Sequence, residues 1–507
     1  MAEPLEPPVG ALPEGVTRRQ LLVGGGSTLA AFALAAAGTP VSDALAARRL
    51  PPINSYASVP AAGPLQLHSR SDLRIPTLAV DVRKSGTAPG LIFLAPFGPA
   101  HGQAGAVIAE DSGQPVWEYP VAGREVYNFR VQLYRGQPVL TWWQGKIVDG
   151  HGVGSYVIAD SSYRPIAHVQ AGNGLQGDLH EFLLTEQGTA LLTSYVSTHV
   201  DMRSVGGPRS GPIEDAIFQE IDLANGRVLL EWRSLDHIPL SESYWPVSEW
   251  SWDYVHLNSI DIDNDGQLLV SSRNTHTVYK IDRRSGEIIW RLGGKHRDFA
   301  MADGASFAWQ HDARRQRDGR LTIFDNQGAP HGGPQSRAIV LAVDEQRRTA
   351  RLERQYLHPL ALQASSMGNV QVLPNGNLFV GWGAEPFVSE FSPSGELLFD
   401  ARLGSGYCGY RAFRVPWSAA GEDRPSVAAR RDGTRAMDLW VSWNGDTQAA
   451  RWQVLGGERT GTLRPLGSYP RSGFETPLHI GAVPQRLAVR GLDAHGHSLG
   501  QSSTLAS

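Results

Sequence analysis

Three histidines stand at the same point of a repeated strand-forming pattern. They are His180 in Leu179-His180-Glu181-Phe182, His256 in Tyr254-Val255-His256-Leu257-Asn258-Ser259-Ile260, and His311 in Gln310-His311-Asp312-Ala313. Arg130 in Phe129-Arg130-Val131-Gln132 and Asn369 in Gly368-Asn369-Val370-Gln371 open two further copies at the same register. A neutral imidazole is a nucleophile near pH 7 and, once protonated, a proton donor. A guanidinium beside imidazoles offers forked N–H donors to a tetrahedral anion. Arg273 can supply that group: it closes the second strand of the His256 copy, and an antiparallel return brings it back toward the histidine. Asn258 and Trp309 flank His256 and His311 and are the polar and aromatic candidates for contact with a bound ligand.

Each of these residues also has a plainer reading. A histidine near the start of a strand often does no more than bond its neighbour. Three histidines from different copies could ligate zinc or copper, but a guanidinium beside them repels a cation, so no metal is expected. The run Asp261-Ile262-Asp263-Asn264-Asp265-Gly266 imitates a calcium loop, yet Ser272 stands where a bidentate Glu is wanted. A hairpin turn is expected there. Trp142, Trp143, Trp245, Trp250, Trp252 and Trp382 read mostly as core, which leaves Trp309 as the pocket candidate. His331, His358 and His479 lie off the register and read as surface or loop residues. Asp325-Asn326 follows the strand Leu321-Thr322-Ile323-Phe324 and either orients an imidazole or closes a turn.

The elements that position these residues are short strands. The clearest copy runs from Tyr254 to Leu292, with turns at Asp263-Asn264-Asp265-Gly266 and Arg284-Ser285-Gly286. The first turns of the other copies end at Gly136, Gly188, Gly319 and Gly376, and a partial copy spans Leu91 to Pro120. Four-strand units at this spacing predict an all-β, six-bladed β-propeller over 76–415, whose first strands line a central channel. Insertions at 198–214 and 236–252 are expected as rim loops. From 416 to 507 alternating strands predict an immunoglobulin- or fibronectin-like β-sandwich, and 47–75 reads as a Pro- and Ala-rich linker. Residues 1–46 read as a signal peptide: Thr17-Arg18-Arg19-Gln20-Leu21-Leu22, an apolar stretch to about Ala37, then Ala44-Leu45-Ala46. That pattern predicts twin-arginine export to the periplasm, the cell surface or the medium, with no stable membrane span. Gly 56 and Pro 33 suit many turns, and a net charge of -4 supplies no basic field for nucleic acid. Cys408 is the single cysteine, so no disulfide forms within one chain.

His180-Glu181-Phe182, His256-Leu257-Asn258-Ser259-Ile260-Asp261, Ser271-Ser272-Arg273 and Gln310-His311-Asp312-Ala313-Arg314 resemble the motifs of bacterial arylsulfotransferases. The similarity covers roughly residues 75–403, and the tail resembles a sandwich appended in actinobacterial and fungal relatives. The resemblance implies a six-bladed propeller that moves a sulfuryl group from an aryl sulfate to a phenol without a nucleotide donor. It implies His311 as the histidine transiently sulfurylated, with His180, His256 and Arg273 binding the anion around it. Arg130, Asn258, Asn369 and Trp309 are the expected substrate contacts. His256, then His180, is the expected proton donor to the leaving phenolate. No cofactor is expected, since the chain lacks a P-loop or other Gly-rich phosphate cradle. The rival expectations are a non-catalytic binding propeller and a metal-dependent lyase or oxidoreductase.

Overall fold

The computed structural model describes residues 64–98, 105–248, 251–328, 333–404, 406–421, 424–459 and 462–506. The leader and its paired arginines, Trp250 and His331 lie outside them. The protein is all-β, built from many small sheets. In the His256 copy the antiparallel strands Leu257–Ile262, Leu268–Ser272, Thr277–Ile281 and Ile288–Gly293 follow one another across one sheet. The copies beginning at Glu125, Phe182, His311 and Asn369 have the same simple order from inner to outer strand. Their first turns need a left-handed residue, and Gly136, Gly188, Gly266, Gly319 and Gly376 supply it with φ between 74° and 86°. Lys280 Nζ lies 2.9 Å from Asp263 and 2.7 Å from Asp265, so the Asp261–Gly266 run is a hairpin turn neutralised by a lysine.

Two sheets join distant parts of the chain. Leu78–Arg83 adds an outer strand to the sheet begun by Asn369–Val372. Cys408–Val415 pairs with Leu91–Phe97 and so becomes the inner strand of the partial copy, whose other strands are Gly105–Ala109 and Pro115–Pro120. Apolar clusters fill the space between successive sheets. Trp143 and Ile158 meet Phe182 and Leu192, and Phe218 and Trp232 meet Leu257 and Val270. Leu269 and Trp290 then meet Ala313 and Ile323, and Phe324 and Ala338 meet Val370 and Val380. Phe379 and Phe399 meet Ile92 and Val107, and Phe93 and Trp117 return to Phe129 and Trp142. Strands such as Leu268–Ser272 are buried on both faces, which is why they read as continuous apolar or small-residue runs rather than alternating ones.

The C-terminal strands form two sheets around one core, in which Leu439 and Val441 face Trp452, Val454, Leu487 and Val489. This tail packs on the Leu91–Pro120 region, where Asn444 bonds both the N–H and the C=O of Glu118, and on the sheet begun by Glu125, where Tyr163 donates to the Gly445 carbonyl at 2.7 Å. The described part of the expected linker also differs from a tether. Leu67, Leu73 and Ile75 are buried, and Ser69 bonds Glu475 through both its amide and its hydroxyl. His358 departs from the surface reading as well; it is fully buried, with Nε2 3.1 Å from the Asp400 carboxylate.

Candidate active site

The inner strands deliver the site. His180 precedes Phe182–Leu184, His256 precedes Leu257–Ile262, and His311 opens His311–Arg315. The His180 and His256 rings meet edge to face with centroids 4.6 Å apart. Arg273, just past the end of Leu268–Ser272, donates its backbone N–H to the His256 carbonyl at 2.9 Å. Its guanidinium lies 4.6 Å from the Trp309 ring centroid. All three histidines are nearly inaccessible to solvent. His256 and Trp309 also hold left-handed backbone conformations (φ 55° and 63°), a strain of about 1–3 kcal/mol each that the surrounding packing must sustain.

Their partners set the protonation states. His180 Nδ1 is 2.7 Å from Asp178 Oδ2, and His256 Nδ1 makes a short contact with Asp253 Oδ2. A carboxylate only accepts, so both Nδ1 atoms donate and both Nε2 atoms are free for other work. His311 differs. Asn326 Nδ2 donates to the carbonyls of Ala364 and Met367, which turns Oδ1 toward His311 Nδ1 at 2.8 Å. Nδ1 therefore carries the proton, and the Nε2 lone pair accepts the Met367 N–H at 3.1 Å. Burial and then the positive Arg273 hold the His311 pKa well below its ordinary value, with His256 and His180 adding to the effect. His311 is neutral at pH 7. Burial and Arg273 also push His256 down, to about 3, against the pull of Asp253.

Sequence reasoning missed three groups here. Asp178 and Asp253 stand two and three residues before their histidines, a local Asp–His spacing that was available to be read. His151 opens the strand His151–Ala159 rather than an inner strand, so no register argument finds it. Its ring centroid is 5.4 Å from that of His256 and 3.9 Å from that of Tyr195. The nitrogens of His151 and His256 and an Asp253 oxygen lie within 4.8 Å of one another, a spacing that a divalent cation can bridge. Arg273 Nη2, 3.7 Å from the same carboxylate, already supplies the positive charge. That guanidinium competes with a cation for the carboxylate, and we do not assign these residues as metal ligands.

Other expected contacts fall elsewhere. Arg130 is turned away from the histidines: Nη2 lies 2.6 Å from Glu181 Oε1, and the side chain lines a different cavity of about 720 Å³ with Gln132, Arg314 and Gln371. The reason is register: Tyr127 stands where His311 does, and past the bulge that both strands carry Arg130 stands with Arg314. Asn369 spends its amide on both backbone groups of Ala412, at 2.8 and 2.9 Å. Asn258 donates to the Gln310 carbonyl at 2.7 Å, while its own carbonyl accepts from Tyr410 and Arg411. Both asparagines tie inner strands together. Trp309 keeps its place against Arg273 and Trp245, whose ring lies 5.2 Å away and is 44% exposed. Trp142, Trp143, Trp252 and Trp382 are core.

An all-β protein with imidazoles and a guanidinium gathered at the ends of its inner strands is the class defined so far. Residues 130–404, more than half of the chain, match the arylsulfotransferase (ASST) family, and the chain belongs to that family. Membership implies a sulfotransferase-type enzyme acting on small aryl substrates. No curated protein matches the sequence. Among solved structures the chain is similar to a protein of unknown function from Bacteroides caccae, at 12% identity over 64% of this chain and 98% of that one (TM-score 0.40). It is also similar to a catalytically inactive virginiamycin B lyase from Staphylococcus aureus with quinupristin, at 11% identity over 73% and 97% (TM-score 0.34). Hydrazine synthase from Kuenenia stuttgartiensis matches at 12% identity over 67% and 68% (TM-score 0.27). Among the described residues no helix is long and apolar enough to cross a membrane.

Proposed function

We propose that this chain is a nucleotide-independent arylsulfotransferase that passes a sulfuryl group from an aryl sulfate to a phenol through a sulfohistidine at His311. In this reading the sheets that begin at Glu125, Phe182, Leu257, His311, Asn369 and Cys408 are six propeller blades, and the tail is an immunoglobulin-like sandwich. The observation that carries the reading is the contrast among the histidines. His311 alone of the three is oriented by a neutral amide, which leaves an uncharged imidazole with a directed lone pair. The Met367 N–H contact opens, and Nε2 attacks sulfur as the sulfur–aryl oxygen bond breaks. The electron pair leaves on the phenolate oxygen. The acceptor phenol then gives up its proton, and its oxygen attacks sulfur as the N–S bond breaks. The Arg273 guanidinium is the donor offered to the sulfuryl oxygens, where charge accumulates in a water-poor site.

Incubation with 4-nitrophenyl sulfate and excess phenol is expected to release nitrophenolate and form phenyl sulfate. His311→Ala should lower that rate by at least about 10³-fold, as loss of a covalent nucleophile does. A chelator should leave it unchanged. Turnover that survives His311→Ala excludes the sulfohistidine route, and chelator-sensitive turnover favours the metal-dependent rival.

Export by the twin-arginine route belongs to the same proposal and rests on Thr17–Leu22. Replacing Arg18 and Arg19 together by lysine is expected to leave full-length precursor in the cytoplasm; fractionation and the size of the product check this.

A further inference from the structure

The leaving phenolate needs a proton, and His256 is badly placed to give it. Burial and the neighbouring guanidinium keep that imidazole neutral at the pH of use. We propose that His151 is the catalytic acid–base residue: it protonates the departing aryl oxygen and recovers the proton from the acceptor phenol. This inference rests on the sulfotransfer reading above. Asp253 carries it geometrically. One Asp253 oxygen faces His256 Nδ1, His151 Nε2 at 3.3 Å and Arg273 Nη2 at 3.7 Å. The contact to His151 is an ion-pair approach rather than an aligned hydrogen bond. With Nε2 turned to the carboxylate, Nδ1 is the nitrogen left to exchange a proton with a ligand.

The groups facing His151 favour its cationic form. Asp253, Asp178 and Glu214 act on it from three segments, and together they raise its pKa although burial alone would lower it. His180 and His256 stand 6.2 and 5.4 Å away, and the Tyr195 ring lies tilted against it at 3.9 Å. Tyr195 is itself kept protonated by burial and the nearby carboxylates. The proton balance closes without a co-reactant. His151 gives one proton to the first phenolate and takes one from the second phenol, while the sulfuryl group passes through His311 Nε2.

A general acid matters in proportion to the basicity of its leaving group, and that supplies the test. 4-Nitrophenol ionises near neutrality, whereas phenol has a pKa of about 10, like tyrosine. The first release of phenol is measured in a single turnover without acceptor, using the full-length chain and His151→Gln, with His151→Phe as the second variant. Release from 4-nitrophenyl sulfate should fall less than about threefold, and release from phenyl sulfate roughly 10²-fold or more. The alkaline limb of the wild-type profile on phenyl sulfate should vanish in both variants. Equal losses on the two donors, or no loss on either, overturn the role of His151 and leave the sulfohistidine reading standing. No release from either donor by the wild-type protein overturns both. Far-UV circular dichroism and unchanged melting of at least one variant show that the comparison is made on folded protein.

Discussion

Asn326→Asp is expected to move the acid limb of the pH–rate profile for sulfuryl transfer to higher pH. Asn326 is pinned by two backbone carbonyls, so its oxygen faces His311 whatever the occupancy of the site. An aspartate there keeps the size and adds a negative charge 2.8 Å from Nδ1, while its second oxygen replaces the N–H donor to the Ala364 and Met367 carbonyls. An adjacent opposite charge raises an imidazole pKa by about 1–3 units. The shift opposes the burial and the Arg273 charge that now hold His311 neutral. With its pKa raised, His311 takes up a proton on Nε2 at a higher pH than in the wild type, and the protonated ring has no lone pair for sulfur. Activity should return as the pH passes the new pKa, by about tenfold for each pH unit below that value. Asn326→Ala separates charge from orientation: it should lose rate at every pH and recover at none. An Asp variant with the wild-type profile would mean that the neutrality of His311 is not what the amide secures.

How far the sequence discloses this site is decided by which information is local. His180, His256 and His311 sit in copies of one pattern, and Arg273 follows from an antiparallel return, so all four are legible. Asn326 follows a readable strand, though only the fold shows that it bonds His311 while Asp325 holds Arg337. Arg130 misleads because its strand starts at Glu125, so that Tyr127 and not Arg130 stands at the register of His311. The inner strand Cys408–Val415 is hidden differently. Its partner lies some three hundred residues earlier, and periodicity within a segment carries no signal about pairing at that distance. That strand brings Tyr410 and Arg411 to the centre of the protein. Tyr410 donates to the carbonyls of His180 and Asn258 at 3.0 Å and braces two of the strands that carry the histidines.

Glu181→Gln is expected to cost about 3–5 kcal/mol of stability, because it uncovers buried charge rather than removing one contact. Glu181, the residue after His180, is fully buried among Arg130 at 2.6 Å, Arg411 at 3.3 Å and Arg314, and it also accepts the N–H groups of Phe182 and Ile260. Asp312 balances the cluster, 2.8 Å from Arg314 and 3.3 Å from Arg411. Asp261 adds a third carboxylate 3.9 Å from Arg314, so three guanidiniums face three carboxylates and glutamine leaves them facing two. Burial alone would raise the Glu181 pKa, but Arg314, Arg411 and Arg130 outweigh it and hold the carboxyl far below its ordinary value. A depressed carboxyl stabilises the fold above its unfolded pKa of about 4.3, and that contribution fades as the pH falls further. The wild-type chain should therefore lose its advantage over Glu181→Gln below about pH 4, as read from denaturant midpoints across the acid range. Glu181 follows His180 and Asp312 follows His311 in the chain, while Arg130, Asp312 and Arg314 also line the 720 Å³ cavity. Because Glu181 and Asp312 adjoin His180 and His311 in the chain, loss of the cluster should lower transfer as well as stability. Adding Arg411→Met to Glu181→Gln removes one of the uncovered charges and should restore part of the lost stability, since residues sharing one ion network are not additive. Strict additivity of the two losses would show that Arg411 and Glu181 are not coupled through the buried charge balance.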